Sequence, residues 1–224
     1  MSNSVPPLRI AEIFYSLQGE SSWAGYPCLF VRLAGCNLRC SYCDARYSYE
    51  EPGTPYRLDE LLTALDRLAP VGRQVELVEV TGGEPLLQEG VYPLLAALLA
   101  RGQRVLLETN GSISLARVPT AVHCIMDVKC PASGMADRLN PGNFRHLTGS
   151  DEIKFVLSDR ADYDWARGVI EQNRLLPNRK LIFSPASGRL QPADLAQWLL
   201  ADNLPVRLQL QLHSQLWPGQ QRGR

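Results

Sequence analysis

The stretch VELVEVTGGEPLLQ, residues 75 to 88, decides the fold class of this chain. Its first half, VELVEV (75 to 80), is rich in strand formers and stops at Gly82-Gly83, as a strand does where it hands over to a loop. VYPLLAALLARG (91 to 102) then reads as a buried helix closed by Gly102. RVLLET (104 to 109) is the next strand, ended by Asn110-Gly111. Strand, helix and strand in this order make a crossover unit, whose strands pair in parallel with a right-handed connection.

The same rhythm extends in both directions. CLFVRL (28 to 33), HCIMDV (123 to 128), EIKFVL (152 to 157), KLIFS (180 to 184) and VRLQLQL (206 to 212) read as strands, and RIAEIFY (9 to 15) as an N-terminal one. RLDELLTALDRLA (57 to 69), RADYDWARGVIEQN (160 to 173) and PADLAQWLLAD (192 to 202) read as helices, the first with leucines at helical spacing. Residues 111 to 122 and 130 to 150 carry no helical period, so helices are fewer than strands. The expected fold is α/β: an incomplete parallel βα barrel, partly open. No repeat, low-complexity segment or Gly/Ser linker divides the chain. One domain over residues 1–224 is expected, with residues 1–8 and the polar tail 218–224 loose.

Composition narrows the function. The 224 residues carry 23 Lys plus Arg against 23 Asp plus Glu, so charge alone predicts no polyanion-binding surface and no nucleic-acid partner. The N-terminus MSNSVPPLRI has no apolar core of a signal peptide. The longest apolar run, YPLLAALLA (92 to 100), falls far short of the roughly 20 residues a bilayer needs. A cytoplasmic protein with no membrane association is expected. In that reducing compartment, clustered cysteines are ligands or catalysts more often than disulfides.

Ligand chemistry in parallel α/β folds collects at the carboxyl ends of the strands. Here Arg32, the TGGEP segment, Glu108, Thr109, Asn110, Asp127, Lys129, Ser184 and His213 all fall at strand ends, and Lys154 inside EIKFVL. Together they predict one polar mouth of the barrel.

The loop GCNLRCSYCDARYS (35 to 48) follows the first crossover strand and carries Cys36, Cys40 and Cys43 in the spacing C-x3-C-x2-C. The odd count speaks against a disulfide. A thioredoxin-like pair at Cys40 and Cys43 lacks the helix directly after it and leaves Cys36 unused. Structural zinc needs a fourth ligand, and only His123 or Cys124 from afar offers one. An iron–sulfur cube held by three thiolates leaves one iron open to chelate a further ligand.

The cysteine spacing followed by TGGEP resembles the radical S-adenosylmethionine (SAM) superfamily. That resemblance implies a [4Fe–4S] cluster on Cys36, Cys40 and Cys43, with SAM on the unligated iron. One electron from the cluster then cleaves SAM to methionine and a 5′-deoxyadenosyl radical. Tyr42 matches the aromatic residue that packs on adenine, and Glu84 the acid reached by the SAM amino group.

A closer resemblance spans residues 9 to 217. EIFYSLQGE (12 to 20), GYPCLFVRLAGCNLRCSYCD (25 to 44), TGGEPLLQ (81 to 88), ETNG (108 to 111), DEIKFV (151 to 156) and LQLHSQLW (210 to 217) resemble the 7-carboxy-7-deazaguanine synthase family. That family converts 6-carboxy-5,6,7,8-tetrahydropterin to 7-carboxy-7-deazaguanine with loss of ammonia, a carbon–nitrogen lyase step toward queuosine and other 7-deazapurines. The resemblance implies hydrogen abstraction at C6 of the pterin, ring contraction, and recovery of SAM as a recycled cofactor. It places Leu17, Gln18, Gly19, Glu20, Arg32, Thr81 and His213 at the substrate, with Arg32 on the carboxylate. It places Tyr42, Cys43, Asp44, Gly83, Glu84, Asn110, Lys129, Ser133 and Ser184 at the cofactor. It implies a flavodoxin or ferredoxin as electron donor, and a homodimer.

One position departs from the family. Many relatives carry Thr after Cys-Asp, where its hydroxyl helps hold Mg2+ against the substrate carboxylate; here the residue is Ala45. Mg2+ takes oxygen ligands. Water, Asp44 or Ser48 must fill the gap, or the ion is not used. Two other readings stand beside this one: an activase of a glycyl-radical enzyme, which shares both motifs, and a zinc-binding interaction module. SLQGE and QLH argue against the activase.

Overall fold

The structure is a computed structural model and describes residues 6–72 and 74–223. Among the described residues nine strands form one sheet in the order β3-β1-β2-β4-β5-β6-β7-β8-β9. From β2 (Pro27–Leu33) through β4 (Leu77–Gly82), β5 (Arg104–Thr109), β6 (His123–Lys129), β7 (Glu152–Leu157), β8 (Lys180–Pro185) and β9 (Arg207–Leu208) every pairing is parallel. The parallel core predicted from the sequence is therefore present, and the sheet stays open, as a partial barrel does.

Two features differ from expectation at the N-terminal edge. The strand anticipated over 9 to 15 is β1 (Leu8–Leu17), and it runs antiparallel to β2. A short strand, β3 (Thr54–Tyr56), pairs antiparallel with β1 and forms the edge; its Pro55 is tolerated there because an edge strand has a side with no partner to bond. At the other edge the strand expected over 206 to 212 shrinks to Arg207–Leu208. Gln209 N makes the last bond to β8, donating to Phe183 O (2.9 Å), and its side chain bonds both backbone groups of Ser21 (2.6 and 2.7 Å), tying this end of the chain to the β1–β2 connection. His213 accordingly sits in a short helix, α6 (Leu212–Leu216), rather than at a strand end.

Between the strands lie α1 (Tyr47–Glu50), α2 (Leu58–Leu68), α3 (Val91–Ala100), α4 (Arg160–Gln172) and α5 (Pro192–Ala201). The β5–β6 and β6–β7 connections carry only short 3-10 turns, where the sequence shows no helical period.

Strand alternation splits the buried residues into two sets. Leu29, Val31, Val78, Val80, Val105, Leu107, Met126, Val128, Ile153 and Phe155 point outward. They pack with Leu61, Leu65, Leu94, Leu98, Tyr163, Ala166 and Leu195 of the helices into one large core. The alternate residues point into the barrel. At its lower end Phe14, Cys28, Phe30, Leu77, Leu106 and Ile125 form a separate apolar plug, with Phe14 and Phe30 stacked at 4.6 Å. Burying side chains of this kind contributes roughly 1.5–3 kcal/mol each, so the plug is a firm floor. The polar residues stand above it.

Candidate active site

One cavity opens above the plug. Its wall brings together Gln18, Gly19, Glu20, Arg32, Cys36, Cys40, Tyr42, Cys43, Asp44, Ala45, Thr81, Gly83, Asn110, Lys129 and His213 from the sequence-derived set. It also includes Glu79, Glu108, Asp127 and Lys154. Leu17, Glu84, Ser133 and Ser184 do not line it.

Glu84, Ser133 and Ser184 are buried. Glu84 is fully buried behind the wall. Its carboxyl accepts from Leu86 N (3.0 Å), Asn110 N (2.7 Å) and Thr109 Oγ1 (2.9 Å), so it clamps the Gly-Gly turn to the end of β5. Burial pushes this carboxyl up to about 7, against those hydrogen bonds. Ser133 accepts on its carbonyl from Ser41 N (3.0 Å) and, with Ala132 O accepting from Ser41 Oγ (2.7 Å), pins the loop between Cys40 and Cys43. Ser184 is fully buried on β8; Ala186 and Ser187, just beyond it, face the cavity.

The cysteine loop is held from several sides. Arg189 donates to Ser41 Oγ and Ser41 O (both 3.0 Å), and Gly35 N donates to Ser48 O (2.6 Å). A Cβ added at Gly83 would lie 2.2 Å from Gly35 O and 2.7 Å from Cys36 Cβ, so only glycine lets the two loops meet. Cys36, Cys40 and Cys43 are free thiols, each half-buried and facing the cavity. Burial raises all three thiols above their ordinary range, while the Lys129 charge works in the opposite direction. Among the described residues no three His, Cys, Asp or Glu groups converge on one ion. Three free thiols on one loop are the donor set an iron–sulfur cube takes, whereas a tetrahedral structural zinc needs a fourth ligand. The free thiols therefore fit an iron–sulfur cluster.

Two separate segments close the far side of the cavity, and they are bonded to each other. Leu212 N donates to Gly19 O (2.9 Å) and Gln211 Nε2 to Glu20 Oε1 (2.9 Å). A Cβ on Gly19 would come within 2.3 Å of His213 Nδ1. The SLQGE and QLH motifs, nearly 200 residues apart in sequence, thus make a single wall.

Charge fills the interior. Lys154 Nζ reaches Glu108 (2.5 Å), Glu20 (2.6 Å) and Asp127 (3.6 Å) from the middle of β7. Lys129 Nζ donates to Asp127 Oδ2 (2.7 Å). Burial alone would raise the Glu108 carboxyl, but the Lys154 and Lys129 charges outweigh it and hold Glu108 at about 2. Lys154 stays firmly charged against its burial, held by Glu108, Glu20 and Asp127. Arg32 Nε bonds Glu12 Oε1 (3.0 Å), which also accepts from Tyr47 Oη. Burial disfavours the Arg32 charge, and Tyr47, Asp44 and Glu12 keep it. Ser48 Oγ is buried and unbonded among the described residues, one turn after Ala45. The tail expected to be loose runs back to this mouth. Gly223 N donates to Glu12 Oε2 (3.2 Å), Arg222 pairs with Glu51 and lies 4.3 Å from the Tyr47 ring centre, and Gln221 lines the cavity. Residues 1–5 of the expected loose N-terminus lie outside the described residues.

Glu12, Tyr47, Glu79 and Gln211 were not among the residues singled out from the sequence. For Glu79 a signal existed: an acid at an inward position of an otherwise apolar strand. For Tyr47 there was none.

Comparison with known proteins agrees with this geometry. Residues 31–120 match the family model of the radical SAM superfamily. The 7-carboxy-7-deazaguanine synthase of Chlorobaculum tepidum is 47% identical over 97% of this chain and 97% of its own. That of Koribacter versatilis is 47% identical over 96% of this chain and 100% of its own. The chain belongs to the 7-carboxy-7-deazaguanine synthase family. The crystal structure of QueE from Escherichia coli shares the fold, with a TM-score of 0.75 at 22% identity over 92% of this chain and 95% of that one. Membership in the family brings the [4Fe–4S] cluster and SAM, for which Cys36, Cys40 and Cys43 are the available thiolates.

Proposed function

We propose that this chain converts 6-carboxy-5,6,7,8-tetrahydropterin to 7-carboxy-7-deazaguanine with loss of ammonia, a radical-SAM lyase step in queuosine biosynthesis. The observation that carries it is the joined SLQGE–QLH wall facing three free thiols across one charged cavity. When bound, the cluster and SAM supply one-electron hydrogen abstraction.

The protein's own residues supply the rest. Cys36, Cys40 and Cys43 would hold the cluster, with Asn110 Nδ2 3.9 Å from Cys36 Sγ. Tyr42, tethered through its hydroxyl to Val156 O (3.2 Å), presents its ring for adenine, and Gly83 lets the Gly-Gly turn close on the cysteine loop that carries the cofactor. Arg32 meets the substrate carboxylate, oriented by Glu12 and Tyr47. Glu20 accepts from the amino side of the pterin, held in place by Lys154 and Gln211. Gln18 is buried with its amide engaged at both ends, by Glu20 N (2.8 Å) and by Glu79, so it shapes the wall and the Gly19 backbone meets the substrate. His213 stands against Gly19 as a hydrogen-bonding or proton-carrying group. The floor of aromatic and aliphatic residues keeps water from the reacting centre.

With Ala45 lacking an oxygen, Asp44 and Ser48 join Glu12 and Tyr47 as side-chain oxygens near the carboxylate site, and Mg2+ dependence is weaker than in Thr-containing relatives. A flavodoxin or ferredoxin supplies electrons, and the enzyme works as a cytoplasmic homodimer. No described helix is long and apolar enough to cross a membrane. The test is an anaerobic assay of cluster-loaded protein with reductant, SAM and the carboxypterin. Formation of the deazapurine acid supports the reading, and its absence from fully loaded protein overturns it.

A further inference from the structure

Apart from Asp44 and Arg32 at the mouth, the described cavity lining holds four carboxylates, Glu20, Glu79, Glu108 and Asp127, and two ammonium groups, Lys129 and Lys154. Lys154 serves Glu20 and Glu108, and Lys129 serves Asp127. Glu79 has no ion pair among the described residues. Its partner is the neutral Gln18 amide, which donates to Glu79 Oε2. Gln18 cannot turn over to offer its oxygen instead, because its Oε1 already accepts from Glu20 N (2.8 Å). One Glu79 oxygen is thus fixed as an acceptor, and any proton on the carboxyl belongs on the other.

The surroundings favour that proton. Glu79 is buried on β4, diagonal to Glu108 on β5, with Leu106 opposite it in register. The charged and titratable groups around it are Cys28 and Arg32 on β2, Glu20 after β1, Glu108 on β5, Asp127 and Lys129 on β6, and Lys154 on β7. Burial first, then the Glu108 charge, push the Glu79 carboxyl up to about 8, against the pull of Lys154 and Arg32. Two carboxyls on neighbouring strands are driven apart: Glu108 ionised, Glu79 neutral. Such a split separates an acceptor from a donor.

We propose that Glu79 is a specificity residue that enters the complex as a neutral carboxylic acid and donates its O–H to the ring carbonyl oxygen of the substrate heterocycle. This rests on the reaction proposed above. A 2-amino-4-oxo pyrimidine edge offers N–H donors beside one carbonyl acceptor. Ionised Glu20 and Glu108 match the donors. The carbonyl needs a donor, and both interior ammonium groups are already engaged. An ionised Glu79 would set two oxygens against each other in a buried site, which opposes binding.

The inference fixes the sign of a pH dependence. The substrate dissociation constant is measured anaerobically on cluster-loaded, SAM-bound, unreduced protein, using the carboxytetrahydropterin itself, from pH 6.5 to 9.5. With titration near pH 8 the wild-type constant rises about tenfold between pH 7 and pH 9. Glu79→Gln keeps a donor that does not titrate. It binds a few-fold more weakly than wild type at pH 7 and shows almost no change up to pH 9. Glu79→Ala binds at least about tenfold more weakly at pH 7, since the carbonyl is left unpaired. Wild-type binding that is flat or tightens as pH rises, or a Glu79→Gln profile as steep as wild type, overturns the inference. The wild-type profile decides the matter even if a variant fails to fold. Normal product formation with a flat profile refutes this role of Glu79 alone, whereas no product at any pH refutes the reaction.

Discussion

Lys154→Met removes the ammonium that ties the interior together. Glu108 and Glu20 approach Lys154 Nζ to 2.5 and 2.6 Å. At an effective dielectric of about 20, each contact is worth about 6 kcal/mol before desolvation is counted. Burying three ionic groups takes back several kcal/mol apiece, so the intact network adds little net stability. Breaking it is different, because the carboxylates remain buried and lose their counter-charge. The expected cost is about 3–5 kcal/mol, or a fall in Tm of about 6–20 °C for a chain of this size. The pH dependence adds a second constraint. In wild type Glu108 lies at about 2 rather than the ordinary 4.5, so its contribution is complete above pH 4.5 and is lost as pH falls toward 2. In the variant the same carboxyl is raised instead, and its cost is relieved as falling pH protonates it. The Tm gap between the two proteins therefore narrows from pH 7 to pH 5. Differential scanning fluorimetry of anaerobic, cluster-loaded protein measures both. A gap under about 2 °C at pH 7, or one that does not change with pH, refutes the reasoning.

Other expectations follow from single contacts. Cys40→Ala should lose the brown colour, bound iron and sulfide, and product formation together; iron retained at the wild-type ratio would exclude Cys40 as a ligand. Gly19→Ala places a methyl against His213 and should raise the substrate KM at least about tenfold with a stability loss of only about 1–3 kcal/mol; an unchanged KM would separate the two segments functionally. Chelator treatment should leave turnover within about twofold of the Mg2+-supplemented value, while Ala45→Thr should make turnover respond to Mg2+. Removal of residues 219–224 deletes the Arg222–Glu51 pair and the Gly223–Glu12 bond, and should raise KM while leaving Tm nearly unchanged.

What the sequence revealed depended on whether the signal was local. The strands from β4 to β8 and the helices α2 to α5 announce themselves through periodicity and glycine stops. The cysteine loop and TGGEP announce their chemistry through spacing. The antiparallel direction of β1 is set by a tertiary pairing that no local pattern encodes. β3 hides in EPGTPY, where prolines speak against a strand except at an edge. VRLQLQL alternates as a strand should, yet its pairing with β8 goes no further than Gln209, whose side chain bonds Ser21. Glu84 shows the same gap at the site. Its motif marks it as important, but only the structure shows that all its bonds turn inward to the loop. Glu79 and Gln18 form a pair that neither segment could suggest alone.

The two faces of the strands also suggest how such an enzyme changes over time. Positions such as Val78, Val80, Leu107 and Val128 carry the packing against the helices, and their neighbours Glu79, Thr81, Glu108 and Asp127 carry the charge pattern of the interior. Two messages are interleaved residue by residue on the same strands. A mutation at an inward position that leaves the Lys154 ion pairs in place rewrites what the interior recognises and spares the outer packing. The barrel can therefore drift toward new heterocycles one inward side chain at a time while its fold stays under separate selection.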